Sequence, residues 1–354
     1  MAFERVAVLG LGKVGLLAAT LLHEADFQVV GIDARPPRAT TAFTFRAADV
    51  SSGAVLRQEL AGVDAVLSCL PYRLNLQVAE VAHALGIHYF DLTEDVPTTN
   101  AIRQMAATSA GLMAPQCGLA PGFVGIVGAS LVAGFDHCRS LRLRVGALPQ
   151  NPTGLLGYAF NWSPEGVVNE YLNDAEVIED GVRKVVSSME WKETLYVEGR
   201  QLEAFTTSGG LGTMCETYLG VVDNIDYKTI RYPGHMDLMN FFFHELLMRD
   251  RRDVAGEILT RAKPPVDADV VYVHVAAEGE VGGQLRRSEY VRAFTPIDVA
   301  GRRATAIAWT TAGSVAAVIE LVRSGALPQQ GFLKQEHIPL GAFLATPTGS
   351  LFER

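Results

Sequence analysis

Cysteine is scarce in this chain. The four cysteines among 354 residues, at positions 69, 117, 138 and 215, form no C-x-x-C pair and no disulfide-like spacing. Reduced thiols are the simplest reading, and with them a cytoplasmic location. Basic blocks are lacking as well. Lys plus Arg number 30 against 39 Asp plus Glu, a net charge of −9, which excludes nucleic acid and an anionic membrane surface as expected partners. No G-K-[S/T] completes a nucleotide P-loop, and His244-Glu245 lacks the second histidine of H-E-x-x-H. The other histidines show no ligand spacing, so no metal is expected. The first predicted strand starts five residues from Met1, which leaves no room for a signal peptide. Residues 119–135 are almost wholly apolar, but four glycines and a proline make them a buried loop and helix rather than a membrane span. Internal repeats and low-complexity linkers are absent too. What is present, 49% hydrophobic and 19% charged residues, is the composition of a globular enzyme large enough for two domains.

The informative stretch is Val6-Ala7-Val8-Leu9-Gly10-Leu11-Gly12-Lys13-Val14-Gly15 with the apolar helix that follows it. A buried strand, G-x-G-x-x-G and a helix form a dinucleotide site for physical reasons. Gly10 permits the tight turn, Gly12 lets a pyrophosphate approach the backbone, and Gly15 lets helix and strand pack closely. The helix N-terminus then offers unpaired N–H groups to the phosphates. A second strand over residues 29–33 ends in Asp33, placed to hydrogen-bond the adenosine ribose. Its charge favours NAD, with NADP the second option because Arg35 follows closely.

Strands and helices keep alternating, with further strands predicted over 43–45, 63–70, 88–92 and 112–116 and helices over 53–61, 75–85 and 100–110. This predicts an α/β fold, a Rossmann doubly wound parallel sheet over residues 1–121. Ligands bind beyond the carboxyl ends of such strands, so the residues that follow each strand are the candidates. For the cofactor these are Gly10, Leu11, Gly12, Lys13, Val14 and Gly15, then Asp33, Ala34 and Arg35, then Asp49 and Val50, then Leu70, Pro71 and Tyr72. Tyr72, Asp91, Glu94 and Cys117 are candidates for handling the proton in catalysis. Cys117-Gly118-Leu119-Ala120-Pro121-Gly122 follows the sixth strand, near the expected nicotinamide.

From residue 122 the pattern changes to strand-like runs over 140–147, 185–188, 195–197, 227–232, 270–277, 290–296 and 304–308, with helices over 168–172 and 236–248. A second, α+β domain on a mixed sheet over 122–310 follows, and a helix over 311–324 is expected to return the chain to the first domain through 311–354. Three polar motifs stand out here. Thr206, Thr207 and Ser208 precede Gly209-Gly210 and can offer hydroxyls and N–H groups to a carboxylate. On the strand Lys228-Thr229-Ile230-Arg231-Tyr232, Lys228 and Arg231 fall on opposite faces, and Arg231 suits a bidentate grip on a carboxylate. His235 follows. Tyr158, Asn161 and Glu165 form a third cluster, in which Glu165 either pairs with an ammonium or starts a helix.

Together these motifs resemble the saccharopine dehydrogenase-like family, and within it the lysine 6-dehydrogenases. The resemblance rests on residues 10–15, 117–122, 158–166, 203–210 and 227–235, in order over nearly the full length. It implies a pyridine nucleotide, an inserted catalytic and dimerisation domain, a homodimer, and an amino-acid or diamine substrate oxidised at a carbon bearing nitrogen. The chain departs from the lysine enzymes at Thr93-Glu94-Asp95-Val96-Pro97, where they carry a glycine- and histidine-rich run. The expected reaction is oxidative deamination of lysine or a related amino acid to a semialdehyde. A reductase joining an amine to a semialdehyde, as in saccharopine or carboxyspermidine formation, is the alternative. A non-catalytic dinucleotide sensor is a third, opposed by the polar motifs of the second domain.

Overall fold

The computed structural model describes residues 3–37, 40–299 and 301–354. They form two compact units: Met1–Ile126 with Val299–Arg302 and Ala308–Arg354, and Val127–Asp298 with Arg303–Ile307.

The first unit runs β1 (Arg5–Leu9), α1 (Lys13–Glu24), β2 (Gln28–Asp33), β3 (Thr44–Ala47), α2 (Gly53–Glu59), β4 (Ala65–Ser68), α3 (Tyr72–Leu85), β5 (His88–Asp91), α4 (Val96–Ala106) and β6 (Leu112–Ala114). Four of the five β1 residues and all of β4 are buried, as parallel strands covered on both faces require. Two helices start earlier than periodicity alone predicts. Pro71, in extended conformation, is the N-cap of α3, so Tyr72 is helical. Asp95 accepts the Thr98 N–H (2.9 Å) with Pro97 in the first turn, so α4 begins at Val96 rather than near residue 100. The departure at Thr93-Glu94-Asp95 is therefore a helix cap. After β6, α5 (Phe123–Val132) carries the chain from the first unit into the second.

The second unit contains β7 (His137–Pro149), α6 (Pro164–Leu172), β8 (Ala175–Glu179), β9 (Val182–Val186), β10 (Glu193–Val197), β11 (Arg200–Thr206), α7 (Met214–Tyr218), β12 (Val222–Arg231), α8 (His235–Asn240), α9 (Arg252–Ala262), β13 (Asp269–Val281) and β14 (Gln284–Phe294). The sheet order is β10-β11-β12-β7-β13-β14, with β8 on β12 and β9 on β8. β12 and β7 run parallel and their outer neighbours antiparallel, so the sheet is mixed. β8, β11, α7 and α9 have no counterpart in the sequence reading. β11 has no polar–apolar alternation because its last five residues are buried between β10 and β12. The helix expected over 236–248 is divided. α8 passes into a π turn, Phe241–Glu245, and Leu247 at φ 56° ends the run.

A short two-stranded ladder, β15 (Ile297–Val299) with β16 (Arg302–Ala304), leads to α10 (Ala306–Arg323), β17 (Gly331–Phe332) and α11 (Leu340–Leu344). The strand expected over 304–308 is mostly helix. Asp269 accepts the N–H groups of Ala306 (2.6 Å) and Ile307 (3.0 Å), which starts α10 five residues before Thr311. A carboxylate supplied from a distant strand is invisible to local pattern. β17 pairs parallel with β6 and completes the first unit's sheet, β17-β6-β5-β4-β1-β2-β3.

Candidate functional site

In the first unit the strand order reverses between β1 and β4, and the glycine-rich loop follows β1 there. Its three glycines divide into two kinds. Gly10 is left-handed at φ 84°, and a Cβ on it would lie 2.9 Å from the Cys69 carbonyl oxygen. A Cβ on Gly15 would fall 1.9 Å from the Gly10 carbonyl oxygen. A Cβ on Gly12 meets nothing within 4 Å. So Gly10 and Gly15 serve packing, whereas Gly12 leaves open space at the start of α1, where a pyrophosphate fits. Leu70 flanks the loop, its Cδ2 3.0 Å from the same Gly10 position. Lys13 and Pro71 are exposed and Val14 and Tyr72 half-buried around it, and the Leu11 side chain is buried.

Asp33 has a structural task at the end of β2. Its carboxylate accepts the Leu11 N–H (2.8 Å) and the Arg35 N–H (3.0 Å), so it braces the loop from the end of β2. Ala34 and Arg35 are exposed beside it. Asp49 is exposed and accepts the Ser51 N–H (3.0 Å). Val50 belongs to the core with Leu56 and Leu60, so its side chain is packing rather than cofactor contact.

The four proton-handling candidates separate into two kinds. Asp91 is fully buried and accepts the Tyr89 hydroxyl (2.6 Å) and the N–H groups of Thr93 and Gln116 (both 2.9 Å). Burial pushes its carboxyl up to about 6, against those hydrogen bonds. It fastens the segments after β5 and β6 to each other. The Cys117 thiol points inward, donates to the Ala114 carbonyl (3.1 Å) and receives the Gln335 amide (3.2 Å). Burial, with Asp91 nearby, pushes it well above the ordinary thiol range, which removes it as a nucleophile. Tyr72 and Glu94 are half-buried. In the loop after Cys117, Gly122 is at φ 136° and a Cβ there would strike the Gly118 carbonyl oxygen at 1.9 Å.

The second unit gathers its own cluster on one face of β11 and β12. Tyr227, Thr229 and Arg231 alternate along β12, and Glu203 and Phe205 lie opposite Arg231 and Thr229 on β11. Arg231 is 2% exposed, with Nε donating to the Tyr171 hydroxyl (2.7 Å) and Nη1 to the Ile230 carbonyl (2.8 Å). Its guanidinium carbon lies 4.7 Å from the Tyr158 ring centroid and 5.6 Å from that of Tyr171. Burial works against its charge, but Tyr171, Tyr158 and Glu170 outweigh it, so Arg231 stays protonated. His235 sits at 2.9 Å from the Tyr171 hydroxyl through Nε2 and at 3.0 Å from the Leu156 carbonyl through Nδ1. Burial and the Arg231 charge push it down to about 3, so the imidazole is neutral. The Tyr158 hydroxyl lies by the Trp162 indole without a well-formed hydrogen bond, and Thr207 Oγ1 is likewise buried without one among the described residues.

Other predicted residues are placed elsewhere or serve the frame. Lys228 lies on the opposite face of β12, 2.7 Å from Glu193, in a cluster where Arg144 pairs with Glu193 and Asp226. Thr206 Oγ1 donates to the Ser187 carbonyl (2.9 Å), and the Ser208 N–H donates to the Glu170 carbonyl (3.0 Å). Asn161 accepts the Val266 N–H (2.8 Å). Glu165 is exposed in the first turn of α6, the helix-starting alternative. The buried carboxylate on that helix is Glu170, which together with Tyr171 escaped sequence reading. A signal was present: Glu170 lies three residues after buried Val167 and Tyr171 four, on the helix's apolar stripe.

Residues 6–114 match the model of the saccharopine dehydrogenase NADP binding domain, and residues 118–347 that of the saccharopine dehydrogenase C-terminal domain. The chain belongs to the saccharopine dehydrogenase family. A curated member, the NADP(+), L-glutamate-forming saccharopine dehydrogenase of Pyricularia oryzae, is 25% identical over 201 residues. That match covers 52% of this chain and 44% of the relative, so the chain spans under half the length of the relative it matches. Among solved structures, apo saccharopine dehydrogenase (L-Glu forming) from Saccharomyces cerevisiae superposes with a TM-score of 0.74 at 18% identity, covering 94% of each chain. The DAP dehydrogenase of C. glutamicum gives 0.53 at 13% identity, over 100% of this chain and 99% of that one. Both carry the fold seen here, a Rossmann unit joined to a second sheet.

Proposed function

We propose that this member of the family is an NADP-dependent dehydrogenase that oxidises the amine-bearing carbon of an amino acid. The observation that carries the reading is Arg231, a buried, charged guanidinium in an aromatic setting with the buried Glu170 acting on it. A desolvated guanidinium recognises a carboxylate through paired charged hydrogen bonds. The nicotinamide cofactor supplies the hydride acceptor when bound. The first unit's residues would hold it: Gly12 and the α1 N-terminus at the pyrophosphate, Asp33 and Arg35 at the adenosine end. The protein's part is to fix the substrate by its carboxylate and to accept a proton from its ammonium. The imine so formed adds water and releases the nitrogen, leaving a semialdehyde.

Two substrates are in view. Lysine, losing ammonia, is the first. A secondary amine of the saccharopine type, made or cleaved between an amino acid and a semialdehyde, is supported by the names of the fungal relatives. On the cofactor the expectation of NAD is revised to NADP. The matched NADP binding domain and the relative's printed cofactor support this, as does an Asp33 carboxylate already engaged by two backbone N–H groups. A homodimer in the cytoplasm completes the reading; β14 at the end of the second sheet, largely exposed, supports an intersubunit contact, and light scattering tests it. The deciding experiment is nicotinamide reduction at alkaline pH with lysine and with saccharopine, using each cofactor. Turnover with neither, nor with a wider panel of amino acids and polyamines, overturns the proposal.

A further inference from the structure

Three hydrogen bonds link Arg231 to a surface loop, and their directions are determined. The Leu156 carbonyl can only accept, so His235 carries its proton on Nδ1. Nε2 is then an acceptor and the Tyr171 hydroxyl must donate to it (2.9 Å). That leaves the Tyr171 oxygen free to accept from Arg231 Nε (2.7 Å), as it does. A charged imidazole would break this order, and burial beside Arg231 keeps His235 neutral. With Nε held by Tyr171 the side-on edge of the guanidinium, Nε with Nη2, is closed, and the Ile230 carbonyl takes one of the two Nη1 hydrogens. The end-on edge, Nη1 with Nη2, is the one still able to grip two carboxylate oxygens.

We propose that Tyr171 and His235 are positioning residues that lock Arg231 so that its Nη1–Nη2 end receives the substrate carboxylate. The proposal rests on the amino-acid reading above and assigns it a geometry. Neither residue touches substrate; each acts through the guanidinium. Tyr171 is fixed from the other side by α6 and by edge contacts with Phe205 and Phe243, so the hydroxyl has one orientation to offer. Phe205 stacks on the His235 ring at 6.3 Å and 14°, which fixes the imidazole plane.

The test is calorimetric binding of glutarate, beside 1,5-diaminopentane as the probe of equal chain length without carboxylate, on the NADP+-saturated protein. Tyr171→Phe and His235→Leu should each weaken glutarate roughly tenfold or more, the loss expected for a charged hydrogen bond set in the wrong orientation. His235→Gln keeps an acceptor for the Tyr171 hydroxyl and a donor for Leu156, and should restore glutarate to within about threefold. Diaminopentane and NADP+ affinities should not move in any variant. Equal weakening of both probes, no weakening of glutarate, or no glutarate binding by wild type overturns the proposal. If wild type oxidises no amino acid yet Tyr171→Phe still selectively weakens glutarate, the dehydrogenase reading fails and the carboxylate geometry stands.

Discussion

Glu203 and Arg231 are direct cross-strand neighbours on β11 and β12, yet no ion pair joins them among the described residues. The Glu203 carboxylate turns instead to the N–H groups of Gly234 (2.9 Å) and Met236 (2.7 Å), at the turn into α8. The sheet therefore brings a cation to the cluster without neutralising it by its nearest acid. Glu203→Gln leaves one good acceptor for two donors and removes the charge. It should cost about 1–3 kcal/mol in urea unfolding, and His235, which opens α8, should shift with it. Nearly unchanged stability would show that water replaces the carboxylate.

Arg231 itself gives the sharpest kinetic expectation. Losing a charged hydrogen bond in a desolvated pocket costs roughly 2–5 kcal/mol, a rate factor of tens to thousands. Arg231→Lys should raise KM for the amino acid strongly, since an ammonium cannot make the paired bonds. Arg231→Ala should lower kcat/KM further while cofactor binding by fluorescence is unchanged. Near wild-type kcat/KM in Arg231→Ala would move the anchor elsewhere.

The glycine-rich loop separates binding from stability. Gly12 has φ −68° and ψ −165°, which alanine accepts, and open space around it. Gly12→Ala should leave stability within about 1 kcal/mol but weaken NADP+ by roughly tenfold or more, because the methyl occupies the pyrophosphate's approach. Gly15→Ala should do the reverse. Its Cβ would meet the Gly10 carbonyl at 1.9 Å, and an overpacked contact of that kind costs about 1–3 kcal/mol or more. Thermal melts beside cofactor titrations distinguish the two.

Asp91 makes stability depend on pH in an unusual direction. Its folded value, about 6, lies above the ordinary 3.8, so between those values the folded chain holds a proton that the unfolded chain has released. Stability attributable to Asp91 is thus fullest below about pH 4 and falls as pH rises to about 6, by roughly 3 kcal/mol. Asp91→Asn should abolish that fall. The amide oxygen can still accept from Thr93 and Gln116, and the amide N–H₂ can donate to Tyr89, whose hydroxyl turns to the Asn75 carbonyl 3.3 Å away. Urea unfolding of both proteins at pH 5 and pH 7.5 checks it; parallel curves would mean that Asp91 titrates normally.

By itself the sequence determined the dinucleotide-binding half and the succession of elements around it. Glycines, a buried strand and a carboxylate act within a few tens of residues, and local spacing expresses their geometry. It also singled out Arg231, because a guanidinium suits a bidentate grip on a carboxylate. Only the tertiary structure decided what each polar group is used for. Lys228, three residues from Arg231, neutralises Glu193 on the other face of the sheet, and Cys117 and Asp91 turn into the core. Asp269 starts a helix 37 residues away, and Glu170 rather than Glu165 enters the cluster. The physical reason is common to all of them. A buried charge or thiol takes its properties from neighbours that folding brings from distant parts of the chain, and no local pattern encodes those neighbours.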